Sequence, residues 1–524
     1  MGLFDKLFGK KDKKGYDGLK PFKSLDKNIE LLKDAFKDCT DIVYREFSIG
    51  EQHEVKAALV YTDGLADKML LSKFVLNNLM ISTRLTDNET IDSTQQVINQ
   101  IKNKVIAVTE MKEIETIDEA IMNILSGESV LLIDQYDKII IVSSKGWAAR
   151  GVSDPVTEVV VRGSRDAFTE TFRINTALIR RRIRDARLKI KTYQVGERSK
   201  TDVAIMYMED IVDPKVLIEV DKRIKEIDFD AIIDSGYIEQ FIEDNWITLF
   251  PQIQNTERPD VSAAAILEGR VVIIVDNSPF ALIVPTTFNM MMQSAEDYYE
   301  RWPIASATRI LRYIAAFISL TGPSLYVSIS VFHPQMIPTK LAITLSTNRQ
   351  GVPFPAIVEA LIMEVAIEIL REAGVRLPKP IGATIGIVGG LVIGQAAVEA
   401  GIVAPLLVIV VAITAISSFS IPSYNVAIGF RLLRFAFIFA AGSLGLYGVA
   451  LVSLLLLVHL CSLKSFGIPY LSPFVTFIDT FSDLKDTLVR SPLIAMSNRG
   501  ITARLSQKNR MDDKKQENFG KGEE

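Results

Sequence analysis

The sequence predicts a multi-domain membrane protein, in which an N-terminal soluble α/β half made of two related subdomains is followed by an α-helical transmembrane bundle. Two observations predict this fold class: charge is almost absent from one part of the chain, and the other part contains an internal repeat. Over 524 residues the chain carries 59 basic and 63 acidic side chains, a net charge of −4. That balance is too close to neutral to indicate a nucleic-acid-binding protein.

Long apolar runs define the C-terminal half. Within residues 381–463 only Glu399, Arg431 and Arg434 are charged, and Tyr313–Thr339 contains no Asp, Glu, Lys or Arg. A helix of about 20 apolar residues spans a bilayer core of about 30 Å, and polar turns interrupt a soluble core more often than they interrupt these runs. We therefore predict a transmembrane helical domain. It covers residues 303–475, with apolar elements near residues 308–331, 354–372, 381–399, 404–420 and 432–462.

The N-terminal half, up to about residue 302, has charges in almost every stretch of ten residues. Its first residues, MGLFDKLFGKKDKKGYDG, lack the apolar run of a signal peptide, so nothing there predicts export. We interpret residues 1–21 as a flexible basic N-terminus. The alternative is a short basic amphipathic helix that lies on anionic lipid.

An internal repeat divides the soluble half into two α/β subdomains, at residues 22–150 and 155–302. The matching segments, each first-copy segment with its second-copy counterpart, are Asn28–Gly50 with Asn175–Gly196, Val55–Leu79 with Asp202–Ile227, and Ile117–Asp134 with Pro259–Asp276. Their offsets are 147, 147 and 142 residues, in the same order along the chain. Each copy is predicted to contain a helix, two strands, a helix, and then a helix followed by a hairpin.

Turn residues between short apolar runs predict that hairpin. In the second copy, Val271–Val275 and Phe280–Val284 flank the turn Asp276-Asn277-Ser278-Pro279. In the same copy, Pro214 follows Asp213 at the start of a helical segment, a position where helices tolerate proline.

A basic helix distinguishes the second copy from the first. We expect a basic contact face for anionic lipid, for nucleotide or for an acidic partner, and favour subunit or membrane-surface contacts. The residues of this face are Arg173, Arg180, Arg184 and Arg187. The alternative is a solvated helix whose arginines pair with nearby carboxylates, such as those of Asp185 and Asp166.

Acidic residues concentrate on one apolar element, FPAIVEALIMEVAIEILRE. Steps of four place Glu364, Glu368 and Glu372 on one stripe of a helix, while Glu359 lies on the apolar side. Carboxylates at membrane depth face a water-filled path or a partner, and several copies around an axis would form an acidic lining that favours cations. We therefore predict that these four glutamates line an ion path. The alternative is an interfacial helix with its acidic side toward water.

Glycines spaced by four residues predict a helix-packing ridge on the next element. They are Gly382, Gly386, Gly390 and Gly394. Overlapping small-residue motifs of this kind let another helix approach closely, so they indicate tight association without naming the partner. Further on, the polar stretch Ser417–Asn425 is predicted to interrupt the apolar helices.

Positive charges give an expected orientation. Arg301, Arg309 and Arg312 flank the first apolar element, and the C-terminal tail at residues 476–524 is also basic, so both ends are expected in the cytosol. Two ends on one side require an even number of crossings. Five apolar elements would then leave one re-entrant or interfacial.

The composition and motifs do not indicate an enzyme or a metal site. Two cysteines and three histidines build neither a disulfide framework nor a zinc site. The chain has no Gly-rich phosphate loop with Lys-Ser/Thr, no H-E-x-x-H and no G-x-S-x-G. We expect a protein without catalytic activity, cofactor or metal.

Family motifs occur along most of the chain. They are ALIRRRIRDARLKIK (177–191), DSGYIEQFIEDN (234–245), FPQIQNTERPD (250–260), SPFALIVPTTF (278–288), EDYYERW (296–302), the whole of residues 353–405, and HLCSLKSFGIPYLSPF (459–474). In these stretches the sequence strongly resembles the A subunit of GerA-type spore germinant receptors. The resemblance covers about residues 160–475.

The resemblance implies a multi-pass protein of the spore inner membrane. Such A subunits act with a transporter-like B subunit that is thought to sense nutrients and with a lipoprotein C subunit. They are proposed to oligomerise into a ring that releases ions. The leading hypothesis is therefore a germinant-receptor subunit that forms a nutrient-gated cation channel as a homo-oligomer in membrane lipid. One alternative is a SpoVAF-type accessory protein of germination ion release. The other is a secondary transporter, but the membrane half shows no inverted repeat, which counts against it.

Overall fold

The computed structural model of the chain describes two α/β sheets and a helical half. The residues it describes are 16, 18–49, 55–77, 79, 111–146, 154–376, 394–475, 486–496, 499–500, 502 and 510. Most of the predicted basic N-terminus and most of the C-terminal tail lie outside these residues.

Five antiparallel strands form the first sheet, in the order β1-β2-β4-β5-β3. Helices α1 and α3 cover one face, where Leu32 and Ile124 are fully buried. The elements are α1 Leu25–Ala35, β1 Ile42–Ile49, β2 Val55–Thr62, α2 Lys68–Leu70 with a π-helical continuation Leu71–Leu76, β3 Met111–Ile114, α3 Ile117–Leu125, β4 Ser129–Ile133 and β5 Ile139–Val142.

The second sheet repeats this arrangement, with the strand order β6-β7-β9-β10-β8. Its elements are α4 Phe172–Arg182, β6 Leu188–Val195, β7 Thr201–Met208, α5 Pro214–Lys225, α6 Ser235–Ile242, β8 Gln254–Thr256, α7 Pro259–Leu267, β9 Val271–Val275 and β10 Ala281–Val284. Because both copies place five antiparallel strands in the same spatial order, the internal repeat is a repeat of structure as well as of sequence.

The strand registers confirm the correspondence between the copies. Ile42 pairs with Thr62 in the first sheet, and Leu188 pairs with Met208 in the second, so both members are shifted by 146 residues (188 − 42 and 208 − 62). The predicted hairpin is also present, with β9 and β10 antiparallel. The predicted helix start is confirmed too: α5 begins at Pro214, and the Asp213 carboxylate accepts a hydrogen bond from the backbone N–H of Lys215 at 2.9 Å.

The two sheets meet edge to edge. The backbone N–H of Thr40, just before β1, donates to the Ile190 carbonyl of β6 at 3.1 Å, and the Ile190 N–H donates to the Asp38 carbonyl at 3.1 Å. The hydroxyls of Thr40 and Thr192 lie 2.7 Å apart. Since β1 and β6 are edge strands of their sheets, this joint satisfies backbone groups that each sheet would otherwise leave open.

The helical half follows the second sheet. It consists of α8 Phe288–Met291, α9 Glu296–Tyr299, α10 Trp302–Val331, α11 Thr339–Arg349, α12 Ala356–Arg376, a helical segment at residues 394–399, α13 Pro405–Ser418 and α14 Tyr424–Ser462. In the described part of the chain, α10 and α14 are long and apolar enough to cross a membrane, while α13 is apolar but shorter.

Helix α14 reverses direction at Gly445, whose φ of 62° and ψ of −143° are not helical. The Phe250 ring centre lies 6.0 Å from that of Phe430 and 6.4 Å from that of His459. In a straight helix those last two residues would be about 43 Å apart, at 1.5 Å per residue. The segments 424–444 and 446–462 are therefore two antiparallel legs, and the prediction of one continuous element over residues 432–462 is wrong.

The end of α10 and the start of α12 both lie beside the reversal of α14. A Cβ on Gly445 would lie 2.9 Å from the Cβ of Phe332, which follows the end of α10. Helix α12 begins at this end, where Ile357 packs against the first leg of α14. Its Arg371 Nη2 donates to Ser418 Oγ at the far end of α13, 3.2 Å away. The reversal gives two helical segments where the sequence predicted one apolar element.

A buried ionic network joins the start of α10 to the C-terminal segment. Arg309 Nη1 donates to Asp486 Oδ1 at 2.8 Å, and Arg312 Nη1 donates to Asp297 Oδ2 at 2.9 Å. Both arginines are buried. Burial, followed by the neighbouring Asp486 carboxylate, raises the pKa of Tyr298 well above its ordinary value. Two of the three positive charges that the sequence placed beside the first apolar element, Arg309 and Arg312, are thus partnered by acidic residues inside the protein.

Replacing Gly445 by alanine should destabilise the helical half. The backbone there has a positive φ, and the added methyl would meet the Phe332 side chain. Strain of this kind costs of order 1–3 kcal/mol, before the steric contact is counted. We expect a lower unfolding temperature for the detergent-purified chain, measured by intrinsic fluorescence.

Gly374→Ala is the matched control, because Gly374 lies within α12 and a Cβ there would meet no atom within 4 Å. Alanine favours a helix over glycine by about 1 kcal/mol, so this variant should unfold at the wild-type temperature or slightly above it. Equal behaviour of the two variants would contradict the reversal at Gly445.

Candidate functional site: the charged cluster of the helical half

Helix α12 presents the four predicted glutamates in four different surroundings. The chain enters it after Pro355, whose carbonyl accepts hydrogen bonds from Val358 N at 2.9 Å and Glu359 N at 3.1 Å. Proline before the first turn fits a helix start, since the carbonyl is used and no backbone N–H is lost from the helix interior. From there the helix is continuous to Arg376.

Glu364 forms a buried ion pair with Arg434 of α14. The Arg434 Nη1 donates to Glu364 Oε2 at 2.6 Å, and its Nε donates to the Ser319 carbonyl of α10 at 2.7 Å. The two charged side chains are 3% and 4% exposed. A third contact joins Arg434 Nη2 to Ser319 Oγ at 3.3 Å. One guanidinium therefore holds three helices together.

Glu359 is wholly buried at the start of α13. Its Oε2 accepts the backbone N–H of Ala404 at 2.9 Å, immediately before the helix begins, and its Oε1 accepts Arg349 Nη2 at 3.2 Å. A carboxylate at a helix N-terminus is favoured by the unpaired N–H groups and the helix dipole. This glutamate therefore joins α11, α12 and α13 by holding a helix end.

Glu368 and Glu372 are the more accessible members of the set. The Glu368 side chain is 45% exposed, and its oxygens lie 3.3 Å from Arg371 Nη1 and 3.7 Å from Arg431 Nη1. Glu372 is exposed. These two residues face outward from the single chain, whereas Glu359 and Glu364 are held inside it.

Arginines outnumber carboxylates around the middle of α12. Arg371, Arg431 and Arg434 contact Glu364 and Glu368, so the cluster has a formal charge of 3 − 2 = +1. Buried carboxylates are stable when they are paired and hydrogen-bonded. The sequence stripe alone did not identify these partners. One sequence signal could have identified them. Arg431 and Arg434, the two arginines of the almost uncharged segment, are three residues apart and so lie on one face of a helix, where they can pair with Glu364 and Glu368 on a neighbouring helix.

The glycine ridge is described only at its end. Gly382, Gly386 and Gly390 lie outside the described residues. Gly394 is the first described residue of the helical segment 394–399, and a Cβ there would lie 3.5 Å from Val408 Cγ1 of α13, an ordinary van der Waals distance. The packing role of the ridge stays a prediction.

Arg180 takes no part in the predicted basic contact face, because its side chain is wholly buried between the two sheets. Its Nε and Nη2 donate to the two oxygens of Asp41 at 2.9 and 3.0 Å, and its Nη1 donates to the Leu188 carbonyl at 2.9 Å. Burial alone would lower the pKa of Arg180, but the Asp41 carboxylate outweighs it and raises that pKa. The residue joins one copy of the repeat to the other.

The remaining arginines of that face stay near the surface. Arg187 pairs with Asp185 and Asp210, and Arg173 lies 3.6 Å from Asp63 with its guanidinium over the Phe172 ring. Arg184 is exposed. Most of the helix thus follows the alternative stated above, in which the arginines pair with nearby carboxylates, and the contact role of Arg173, Arg184 and Arg187 stays a prediction.

The chain is similar to known proteins over both the duplicated sheets and the charged helical half. A sequence profile described as "Bacillus/Clostridium GerA spore germination protein" matches residues 30–501. The chain belongs to the GerA spore germination protein family. This confirms the resemblance on which the leading hypothesis rests, because the match covers the soluble half and the helical half together.

Among the GerA-type proteins that it resembles, spore germination protein KA of Bacillus subtilis is 45% identical over 90% of this chain and 85% of its own length. The uncharacterized membrane protein YfkQ of the same organism is 42% identical over 91% and 90%. A crystal structure of the N-terminal domain of the A subunit of the Bacillus megaterium spore germinant receptor GerK3 is 34% identical, and covers 51% of this chain and 96% of that one with a TM-score of 0.39.

Breaking the central ion pair should destabilise this GerA-family chain strongly. Arg434→Met leaves the Glu364 carboxylate buried without its cation, and loss of one partner of a buried pair costs about 3–5 kcal/mol. We expect a large fall in the unfolding temperature of the detergent-purified chain. The double variant Glu364→Met/Arg434→Met should recover much of it, because it buries no unpaired charge.

Glu372→Gln serves as the exposed control on the same helix and should change stability by less than about 1 kcal/mol. An Arg434→Met variant that unfolds together with this control would show that the pair does not hold the helices.

The joint between the two sheets makes a separate prediction. Asp41→Asn leaves the Arg180 guanidinium buried opposite a neutral side chain, so we expect a loss of about 3–5 kcal/mol. The measurement is denaturant unfolding followed by circular dichroism at the β-sheet signal. Asp230→Asn, at an ion pair whose side chains are 83% and 62% exposed, should cost less than about 1 kcal/mol. Equal losses would refute the role of the joint.

Proposed function

We propose that this chain is the A-type subunit of a spore germinant receptor, a non-enzymatic protein of the spore inner membrane. The observation that carries the proposal is the family match across residues 30–501, which spans both the duplicated sheets and the charged helices. The names of its relatives support it, since two of those cited are spore germination proteins and a third is a membrane protein. The expected partners are a transporter-like B subunit and a lipoprotein C subunit.

The helical half is the proposed membrane domain. Its support is the length and apolar character of α10 and the apolar character of the two legs of α14, together with the many large apolar side chains exposed on them, such as Phe317, Phe439 and Leu455. Exposed apolar surface of this extent suits lipid or a neighbouring subunit better than water. Because the Arg309–Asp486 contact joins the start of α10 to the C-terminal segment, the soluble sheets and that segment are proposed to lie together on the cytosolic side.

The channel function rests on helix α12 in a ring of several copies. Glu368 and Glu372 are the carboxylates that face outward from one chain, so they are the ones available to line a shared path for cations. Glu359 and Glu364 hold neighbouring helices from inside each chain, and their proposed contribution to the path is to fix the orientation of α12. Nutrient binding by the partner subunit would then open the path.

Removing the two outward carboxylates should reduce cation flow while leaving the protein folded. For spores that carry Glu368→Gln/Glu372→Gln, we expect nutrient-triggered potassium efflux to slow by about tenfold or more, because the lining loses two negative charges per copy. The measurement is potassium release after nutrient addition, with the amount of the chain in the membrane fraction checked by immunoblot.

Glu197→Gln/Glu226→Gln is the matched control, since it removes the same charge from exposed positions of the soluble half. It should leave efflux unchanged. Normal efflux from the α12 double variant, with the protein present at the wild-type level, would overturn the lining role and leave the family assignment intact.

A further inference from the structure

A cavity of about 370 Å³ lies between the second sheet, the helices that lead into α10, and the C-terminal segment. Val261 and Ala264 of α7 form part of its apolar wall, and Met290 and Leu493 close it from the other elements. Cavities of this size, mostly apolar with a few polar groups, are typical of small-molecule sites. It is remote from the α12 cluster and has no part in the function proposed above.

Arg270 brings a buried positive charge to this cavity. The residue is 5% exposed, its Nε donates to the Pro285 carbonyl at 2.8 Å, and its Nη2 has no hydrogen-bond partner among the described residues. Burial lowers the pKa of this guanidinium, as expected for a cation taken out of water. A buried guanidinium with open donors is incomplete without an acceptor.

Gln254 brings an open acceptor to the same cavity. Its Oε1 is buried and has no donor within the described part of the chain. Gln254 pairs with Ile283, which pairs with Val272, so two strand spacings and two residues separate it from Arg270. That places the two Cα atoms roughly 12 Å apart, with both side chains on one face of the sheet. Two long side chains can therefore reach one small molecule from opposite ends.

The carboxylates of the cavity wall already have cations of their own. Asp260 is paired with Arg258, Glu268 with Arg510, and Asp486 with Arg309. Arg270, by contrast, has no ion pair with any residue in the described ranges. An anionic group next to Arg270 would therefore complete the charge pairing of the cavity.

We propose that this cavity binds a small molecule that carries an acidic group, held by Arg270, and a hydrogen-bond donor, held by Gln254. The acidic group is a carboxylate or a phosphate, since both accept a charge-assisted hydrogen bond from the open Nη2 of Arg270. The C-terminal residues that close the cavity would contact this ligand, so its binding would stabilise their position against the second sheet.

Binding of defined anions to the full-length chain in detergent tests the proposal. The probes are L-malate, which has carboxylates and a hydroxyl donor, succinate, which lacks that hydroxyl, and inorganic phosphate. We expect L-malate or phosphate to bind by calorimetry and to raise the unfolding temperature, and Arg270→Met to weaken that binding at least about tenfold. Gln254→Leu should weaken L-malate and leave succinate unchanged.

Two further variants separate binding from folding. Arg270→Lys keeps the positive charge and should retain part of the affinity, while Arg198→Met removes an arginine that is 83% exposed and should retain all of it. Far-ultraviolet circular dichroism checks that each variant is folded. The proposal is overturned if L-malate and phosphate both fail to bind, or if a folded Arg270→Met chain binds them as the wild type does.

Discussion

The helical half depends on one constraint: a charge placed among apolar helices must find a partner of opposite charge inside the protein. Arg434 is paired with Glu364 and also donates to Ser319, and these two residues lie on two other helices. Glu359 meets this constraint at a helix N-terminus, through Arg349 and a backbone N–H. Because an unpaired buried charge costs several kcal/mol, each of these contacts specifies which helices lie together as well as contributing stability. The few charges of this half therefore define its arrangement.

The same constraint joins the soluble half to the helices. Arg309 and Arg312 stand on the first turns of α10, and their carboxylate partners come from the preceding short helix and from the C-terminal segment more than 170 residues further on. A similar arginine, Arg180, joins the two sheets of the repeat through Asp41. Movement of one part of the molecule relative to another would have to break these pairs or move both partners together.

Much of the fold could be predicted because it depends on local patterns. The repeat, the hairpin around Asn277 and the helix that begins at Pro214 follow from apolar periodicity and turn chemistry within short windows. The α14 reversal could not be predicted in this way. Nothing in the apolar run around Gly445 distinguishes a glycine inside a helix from one at a turn. The residue that packs closely against Gly445, Phe332, is distant in the sequence.

By itself the sequence determined the division into a charged, duplicated α/β half and a nearly uncharged helical half, the family, and the helix that carries the carboxylates. These features depend on composition and on spacing along the chain. Only the tertiary structure decided which carboxylates are buried and which are exposed, that Arg180 is buried instead of exposed, and that Arg270 is left beside a cavity. The reason is physical: the state of a charged side chain depends on the groups within a few ångströms of it, and those groups come from other elements.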